Sequence, residues 1–597
     1  MNKKDGSGKL GDAGITHTSI RHTVIFLWHY AKPYLKDLIK TFAISLPLIC
    51  MGWVIPWVFK RITELFVQNT PLNSLILWLI IGLFVVSLRS IFEIITRYIM
   101  TILHVKLSND IRNDIYEYTQ KNSLTFHVQN RTGELSSLVT NDSFAAAAGV
   151  LEIYSSLWQD PAIIISLICV MLYFNPILSV FSIISVPVIS LLVTKAGKKA
   201  HRAENDFLDR QGKILGWMVE SLVNIKQVKS FNLEEQRKKK FAAYGEDLIL
   251  FRKKALIPKL VLSPITEILS SLTLILMGIV AYYQLAGGHS TSGDIVGCLT
   301  AAISLKKPIK SISNSYITLQ QSIAAVGRIS WVIGMQKDKN EDIDFNEPVN
   351  EIAFKNIEYS YDGSHTILKQ ISFELHKGER VAVIGKSGAG KTTLIDLLIG
   401  FFPSQKGEIE INGKKLRQID PVSWRKHIGV VTQEPFLFDT TIEENIRMGD
   451  PSASNERINE VIEMAGCHEI ICRLPQGLKT DVGERGVRLS GGERKRIALA
   501  RALIRPISVL ILDEATGELD HGTEKGILET IDKLSSDLII IHVSHRDSVL
   551  DYCDRALMIS HGQLQELSIK ECREKIRAKI NDKQPGMMVR RRAVSVK

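Results

Sequence analysis

The sequence reads Gly385-Lys386-Ser387-Gly388-Ala389-Gly390-Lys391-Thr392-Thr393 between two apolar stretches, residues 381–384 and residues 394–399. This order predicts a buried strand, a glycine-rich turn and a helix. The glycines let successive backbone N–H groups point at a polyphosphate, and the helix N-terminus adds partial positive charge. Lys391 can reach the β- and γ-phosphates, and the Thr392 hydroxyl is suited to ligate Mg²⁺. The stretch therefore predicts a nucleotide site in an α/β domain.

A second apolar run, residues 509–512, ends in two carboxylates, Asp513 and Glu514. Asp513 is suited to hold Mg²⁺, and Glu514 is suited to orient or deprotonate an attacking water. A run that ends in acids is weak on its own, since strands often end in Asp or Glu. Together with the phosphate loop, it indicates that the nucleotide is hydrolysed.

The composition indicates that the chain has a membrane half and a soluble half. A chain of 597 residues is too long for one core, so two or more domains are expected. Its mean hydropathy of +0.08 is high for a chain with 23% charged residues, so apolar and charged residues must be segregated. The seven cysteines are scattered and imply no disulfide framework. Cys467, His468 and Cys472 lack a second ligand pair, and we interpret them as ordinary helix residues rather than a metal site.

The membrane half contains six apolar runs, each long enough to cross about 30 Å of hydrocarbon. They pair into three hairpins joined by short loops, and cover residues 41–59, 75–100, 145–173, 177–195, 258–286 and 294–317. Ahead of them, residues 23–37 mix aromatic residues with lysines, which is typical of a segment that lies at the membrane interface.

Basic residues give the orientation and the domain boundaries follow from polarity. Lys and Arg are concentrated in two long polar stretches, 106–142 and 195–259, and the short loops on the opposite side carry none. The positive-inside rule then places both termini and both long stretches in the cytoplasm. This accounts for the net charge of +11 and leaves little support for a nucleic-acid partner.

The predicted divisions are a transmembrane domain 1–335, a linker 336–350, a nucleotide-binding domain 351–574 and a basic tail 575–597.

Further motifs resemble those of ABC transporters. Leu489-Ser490-Gly491-Gly492-Glu493-Arg494, upstream of the carboxylate strand, is similar to the signature motif of that family. In the six-span half, the segments around Phe126 and Glu220 resemble the two intracellular loops of ABC exporters. The resemblance covers the whole chain. It implies an α-helical six-span transmembrane domain followed by an α/β P-loop NTPase (ABC) domain, with ATP and Mg²⁺ as cofactors.

The resemblance also implies roles for individual residues. Tyr361 would stack on adenine, and the phosphates would be held by Gly385, Lys386, Ser387, Gly388, Ala389, Gly390, Lys391, Thr392 and Thr393. Hydrolysis would involve Glu514, the Q-loop residue Gln433 and the switch residue His545, with Mg²⁺ held by Thr392, Gln433 and Asp513. A second subunit's ATP would be contacted by Ser490, Gly491, Gly492 and Glu493, and Asp520 matches the D-loop. Two positions depart from the family: Glu493 stands where Gln is usual, and Gly517 where Ser is usual.

One six-span domain fused to one ATPase domain is half a transporter, so the resemblance implies a second subunit. A homodimer is favoured because the chain has one complete set of motifs. The same resemblance indicates a multi-pass protein of the bacterial inner membrane. A non-transporting ABC protein that couples ATP to assembly is disfavoured, because such proteins generally lack membrane spans.

The substrate is predicted from charges within the spans. Arg89, Glu93 and Arg97 are spaced four apart on one helical face, and the last span carries Lys306, Lys307 and Lys310. They form a structural ion-pair ladder, lie below the membrane plane, or make a site for an anionic headgroup that Arg89 and Lys310 contact. Residues 88–90 and 307–311 resemble bacterial lipid-A-core flippases, although the third basic position of those proteins is Gln159 here. We therefore expect export or flipping of a lipid or lipid-like amphiphile, with multidrug export as the alternative.

Overall fold

The computed structural model describes residues 20–130, 132–334, 343–361, 363, 365–515, 521–544 and 547–582, with most of their side chains. The chain divides into two compact units, Met1–Asn122 with His127–Gln336, and Ser123–Phe126 with Lys337–Lys597.

From residue 20 to residue 334 the described chain is almost entirely helical. Its α-helices are α1 Ile20–Ala31, α2 Leu35–Val67, α3 Leu72–Lys121, α4 Leu124–Gln129, α5 Thr132–Ser137, α6 Ser143–Tyr154, α7 Asp160–Phe174, α8 Pro176–Val223, α9 Ile225–Ser230, α10 Glu234–Ala286 and α11 Ser292–Gly334. Two short π-helical segments, Leu138–Asp142 and Ser155–Gln159, join α5, α6 and α7 into one helical stretch.

Each predicted span lies within a helical stretch, and these helices are longer than a membrane requires. The longest, α3 and α10, have 50 and 53 residues, or roughly 75–80 Å of helix. Among the described residues, four stretches are long and apolar enough to cross a membrane: Ile20–Val67, Leu72–Lys121, Thr132–Phe174 and Pro264–Ala286. The other two predicted spans, 177–195 and 294–317, lie in α8, whose side chains are only partly described, and in α11, which carries three lysines.

Small residues and buried polar bonds hold the long helices together, as expected where lipid provides little hydrophobic driving force. A Cβ on Gly149 would lie 2.2 Å from Ser322 Oγ, so α6 and α11 approach closely there. The Ser322 hydroxyl donates to the carbonyl oxygen of Ala146 at 3.0 Å. Nearby, Arg328 donates to both carboxylate oxygens of Asp142 at 2.6 and 2.7 Å. These bonds fix α11 against the helical stretch that contains α6.

The predicted interfacial segment forms α1, a 3₁₀ turn and the start of α2. Two of its tyrosines donate hydrogen bonds to α3: Tyr30 to Asp114 and Tyr34 to Asp110, both at 2.8 Å. Leu27 and Tyr30 are buried, whereas Trp28 is exposed. One face of the segment therefore packs against protein, and the other is free to contact lipid headgroups.

The second unit contains two sheets. Its strands are β1 Glu351–Tyr359, β2 Leu368–His376, β3 Arg380–Gly385, β4 Lys406–Ile411, β5 Lys414–Lys415, β6 Ile428–Val431, β7 Val509–Asp513, β8 Ile539–Val543, β9 Arg555–Ser560 and β10 Gln563–Leu567. Its helices are α12 Lys391–Leu398, α13 Pro421–Lys426, α14 Ile442–Arg447, α15 Asn455–Met464, α16 His468–Arg473, α17 Gly491–Leu503, α18 His521–Lys533 and α19 Ile569–Asp582. The smaller sheet is antiparallel in the order β2-β1-β4-β5.

The larger sheet has the order β10-β9-β3-β8-β7-β6, and all neighbours pair in parallel except β10 with β9. Both of its faces are covered, as parallel sheets require. Alternate residues of β7 therefore enter different cores: Val509 and Ile511 pack on one face, and Leu510 and Leu512 on the other. Because β3 and β7 flank β8 in parallel, the phosphate loop at the end of β3 and the acids at the end of β7 reach the same edge.

Two predicted boundaries differ from the structure in detail. In the predicted linker, Phe345 is buried, stacks edge-on against Trp424, and its N–H donates to Ser423 Oγ at 3.1 Å. The described end of the linker therefore packs onto the second unit, while residues 336–342 lie outside the described residues. Helix α19 continues past residue 574 to Asp582, and the remainder of the predicted tail is outside the described residues.

Gly407 has a conformation and surroundings that only glycine fits. Its φ is +76°, and a Cβ there would lie 2.3 Å from the carbonyl oxygens of Lys355 and Asn356, where the β1–β4 register shifts. Gly413 has a similar φ of +75° but open space around its Cβ position. Both glycines therefore share the strained backbone conformation, and only Gly407 adds steric overlap, so comparing them distinguishes the two effects.

We expect Gly407→Ala to destabilise this unit by about 2 kcal/mol more than Gly413→Ala, because only the former adds overlap with backbone atoms. The measurement is the thermal unfolding midpoint of the purified full-length protein, followed by calorimetry. Equal shifts for the two variants would show that the overlap at Gly407 relaxes without cost.

Candidate active site

The phosphate loop is a turn whose shape depends on its glycines. Gly388 and Gly390 have φ values of +77° and +104°, which side chains rarely adopt. A Cβ on Gly385 would lie 2.7 Å from the carbonyl oxygen of Ile559 in β9, and one on Gly390 would lie 2.8 Å from Leu368. The loop then enters α12, whose first backbone N–H groups have no intrahelical acceptor. This is the geometry that binds phosphate.

The loop and the carboxylates enclose one cavity of about 530 Å³. Predicted residues that line it are Gly385, Ser387, Gly388, Gly390, Lys391, Thr392, Thr393, Gln433, Asp513 and Glu514. Lys391 Nζ donates to the carbonyl oxygens of Gly385 and Lys386, at 2.9 and 3.2 Å. The ammonium group is therefore held at the loop, close to where phosphate oxygens would bind.

Tyr361 lies beside the loop rather than in the lining of this cavity. Its hydroxyl is 3.3 Å from Thr393 Oγ1, and its ring packs edge-on against Phe402, with centroids 5.4 Å apart. The side chain is 48% exposed, so one ring face is available to a planar ligand. Lys386 and Ala389 also belong to the loop without lining the cavity.

Glu514 is held in an unusual backbone conformation. Its φ is +48°, and non-glycine residues seldom adopt this region except where the surroundings impose it. Two bonds do so here: its N–H donates to the carbonyl oxygen of Val543, and its own carbonyl accepts from Lys495 Nζ, both at 2.9 Å. The side chain accepts from Gln433 Nε2 at 2.9 Å. The carboxylate is thus positioned beside the phosphate loop.

The acids near Lys391 concentrate negative charge. Burial and, to a lesser degree, the charge of the neighbouring Asp513 together raise the pKa of Asp396 to about 6. Burial and the charge of Glu514 also raise the pKa of Asp513, while Lys391 and Lys495 partly oppose this. A divalent cation would relieve the repulsion. The oxygen atoms of Thr392, Gln433 and Asp513 in this one cavity are ligands that Mg²⁺ prefers.

The signature residues do not line this cavity. Ser490 caps α17: its Oγ accepts from the N–H of Glu493 at 3.3 Å, and Glu493 Oε2 accepts from the N–H of Ser490 at 2.8 Å. Arg473 donates to the other carboxylate oxygen of Glu493. Burial would raise the pKa of Glu493, but the Ser490 N–H and hydroxyl and the Arg473 charge lower it overall. Glu493 is therefore an ionised part of a rigid helix start, with Gly491 and Gly492 in its first turn.

Two predicted residues, His545 and Asp520, lie outside the described residues, as does the variant position Gly517. Conversely, Lys495 and Asp396 were not predicted. Lys495 is buried and holds the backbone of Glu514. Its position in α17 gives no sequence signal, because the contact with Glu514 depends on how α17 packs on the sheet.

A second cavity, of about 270 Å³, lies among the helices of the first unit. Its charged lining residues are Arg89, Glu93, Arg97, Glu152, Asp160 and Lys307, and its apolar ones are Leu48, Met100, Leu151, Ile163 and Pro308. Arg89 and Gln159 therefore line it, whereas Lys310 is exposed and is not among its lining residues. Lys307, one turn earlier in α11, lines the cavity in place of the predicted Lys310.

Two of the cations in this cavity share one acid. Lys307 Nζ and the Arg97 guanidinium both donate to Glu93 Oε1, at 2.5 and 2.8 Å. The ion-pair ladder considered for α3 thus exists between Glu93 and Arg97 and extends to α11. Arg89 makes no hydrogen bond with a described residue, although its charge acts on Glu93.

Comparison with known proteins agrees with this arrangement. Residues 38–307 match the family model "ABC transporter transmembrane region", and residues 368–517 match the model "ABC transporter". An ATP-dependent lipid A-core flippase of Syntrophus aciditrophicus is 32% identical over 78% of each chain. The chain belongs to the ABC transporters.

Other relatives of this ABC transporter have different names. A putative multidrug export ATP-binding/permease protein of Bacillus subtilis, YgaD, is 30% identical over 90% of this chain and 94% of its own. The solved structure of a bacterial Atm1-family ABC exporter with ATP bound has a TM-score of 0.83, with 24% identity over 92% of this chain and 98% of that one. The predicted family and fold, a helical transmembrane domain followed by an ABC ATPase domain, and ATP hydrolysis coupled to transport are confirmed.

The geometry at Glu514 generates a test. Glu514→Gln should lower ATP hydrolysis by at least about a hundredfold, because an amide cannot accept a proton from water. ATP binding should persist, since Lys391 and the loop are unchanged. The measurements are steady-state phosphate release and binding of a fluorescent ATP analogue.

Lys391→Ala is the matched variant, and it should weaken nucleotide binding itself, because it removes the ammonium at the loop. Hydrolysis by Glu514→Gln within a few-fold of the unmodified protein would remove Glu514 from this role.

Proposed function

We propose that this ABC transporter flips or exports a lipid or lipid-like amphiphile across the bacterial inner membrane, as a homodimer driven by Mg²⁺-ATP. The observation that carries the proposal is the small charged cavity of the first unit. Charged side chains in membrane-spanning helices are costly and usually serve a ligand or a partner. Relatives named lipid A-core flippase, at about 30% identity over most of the chain, also support a lipid substrate.

The roles of the nucleotide-site residues follow from their positions. Lys391, the loop N–H groups and Tyr361 would bind ATP, while Thr392, Gln433 and Asp513 would hold Mg²⁺. The bound ion would neutralise charge on the phosphates. Glu514 would orient and deprotonate the attacking water, and its bond from Gln433 would keep its carboxylate aimed at the γ-phosphate. His545 and Asp520 remain predicted contributors to this step.

Dimerisation completes the site in this proposal. None of the described residues that line the nucleotide cavity comes from the signature, so Ser490, Gly491, Gly492 and Glu493 are available to a partner's ATP. The rigid, capped start of α17 suits contact with a phosphate, because its N–H groups are fixed in place. The orientation with both termini in the cytoplasm remains the positive-inside prediction.

Mixed dimers test the shared site. Subunits with Lys391→Ala and subunits with Ser490→Arg are combined, and hybrids are purified through two different tags. In a hybrid, both lesions fall in one composite site and the other site is intact, so ATPase activity should exceed that of either parent. Hydrolysis within single chains would instead give no activity beyond the two parents.

A multidrug exporter is the second candidate, and one observation favours it. Asp160 lines the membrane cavity and is only 6% exposed, so a cationic amphiphile could pair with it. The B. subtilis relative named as a putative multidrug exporter points the same way. The two candidates differ in the sign of the headgroup that binds most tightly.

Arg89 provides a test of lipid recognition. Arg89→Gln should raise the lipid concentration for half-maximal ATPase stimulation about ten- to hundredfold, because a charge-assisted bond to phosphate is lost. Lys306→Gln is the control, since Lys306 lies in α11 outside the cavity lining. Lys310→Gln tests the second predicted contact. A uniform loss of activity and thermal stability in Arg89→Gln would instead indicate a structural role.

A further inference from the structure

The membrane cavity is electrically balanced rather than cationic. Among its described lining residues, three carry positive charge and three carry negative charge: Arg89, Arg97 and Lys307, against Glu93, Glu152 and Asp160. A site for a purely anionic headgroup would be expected to present an excess of cations. The balance depends on tertiary packing, because Glu152 and Asp160 lie in a different helical stretch from Arg89.

The balance is not explained by pairing within the protein. Glu93 is occupied by Lys307 and Arg97, which together bring two positive charges to one carboxylate. Arg89 on the same helix adds a third, so the region around α3 has an excess of positive charge. Asp160 and Glu152 lie on the other helical stretch, and neither forms an ion pair with a described residue within 4 Å.

Asp160 is the most informative of these acids. Its side chain is buried and accepts a hydrogen bond from Ser155 Oγ at 2.8 Å, next to a π-helical segment that ends at Gln159. The Lys307 ammonium attracts the Asp160 carboxylate only at longer range, because Lys307 donates its hydrogen bond to Glu93. The Ser311 hydroxyl also lies next to this carboxylate. Neutral hydroxyl groups compensate a buried carboxylate only in part, and contact with a cation would do so more fully.

The size of the cavity limits what fits. Its volume, about 270 Å³, is below that of pockets for drug-sized ligands, which have roughly 300–1,000 Å³. A headgroup therefore fits and a whole lipid does not. The apolar lining residues, Leu48 and Ile163 among them, provide a surface for the first methylenes of a chain.

We propose that this cavity takes a zwitterionic headgroup, one that carries both a phosphate and an ammonium. Arg89 contacts the phosphate and Asp160 contacts the ammonium. The inference rests on the proposed function and names its substrate class: a phospholipid with a free amine rather than a polyanionic or a purely cationic amphiphile.

The test uses the full-length protein in an uncharged detergent with four added amphiphiles. Phosphatidylethanolamine carries both groups; its N-acetyl derivative keeps the phosphate and loses the ammonium. Phosphatidylglycerol is anionic, and a long-chain alkylammonium is cationic. The readout is the concentration of each that half-maximally stimulates ATPase activity.

Phosphatidylethanolamine should act at a concentration about tenfold or more below that of its N-acetyl derivative, because only it makes the charged contact with Asp160. Asp160→Asn should abolish this preference. The substitution is nearly isosteric, and its amide oxygen still accepts from Ser155. Glu267→Gln is the matched control, since Glu267 is an exposed acid of α10 outside the cavity lining, and it should keep the preference.

Arg89→Gln should weaken both phospholipids about equally, because their phosphate is the same, and should leave the ratio unchanged. Equal stimulation by phosphatidylethanolamine and its N-acetyl derivative, or stronger stimulation by phosphatidylglycerol, would overturn the zwitterion inference and leave lipid transport standing. Stimulation by the alkylammonium alone would overturn both, in favour of multidrug export.

Discussion

Three parallel strands, β3, β8 and β7, end at one edge of a sheet, and the chemistry of this protein depends on that adjacency. The phosphate loop begins at the end of β3, and the two acids lie at the end of β7, 128 residues later from Gly385 to Asp513. Parallel pairing places the carboxyl ends of all three strands together. Lys391 and Asp513 then line one cavity, although neither sequence stretch contains information about the other.

The same edge explains the strained conformation at Glu514. The strand must end and the chain must turn away while the carboxylate still faces the phosphate loop. Left-handed backbone at a glutamate costs free energy, and the bonds from its N–H to Val543 and from Lys495 to its carbonyl oxygen offset that cost. Lys495 belongs to the helix that Ser490 caps. The signature helix is therefore connected, within one subunit, to the residue proposed to activate water.

The sequence predicted the parts of this protein that depend on local pattern. The phosphate loop and the strand-ending acids follow from local residue spacing, the apolar runs from their length, and the signature from its resemblance to ABC transporters. What it could not predict depends on contacts between distant segments. Lys307 rather than Lys310 lines the membrane cavity. The two lysines are three residues apart and therefore neighbours on one side of α11, so spacing alone does not tell which of them reaches the cavity. The packing of Phe345 on Trp424 could likewise not be predicted, because the polarity of the surrounding stretch indicated a linker.

The departure at the signature has a local physical explanation. A capping box accepts either Glu or Gln at its third position, since both can receive the N–H of the capping residue. A buried glutamate also brings a charge, which would be costly if left alone. Arg473 supplies the opposite charge, and the N–H of Ser490 supplies a second bond, so Glu493 stays ionised and fixed. Arg473 and Glu493 are thus best considered as one unit: a glutamate at this position preserves the geometry of a glutamine because an arginine from α16 compensates its charge.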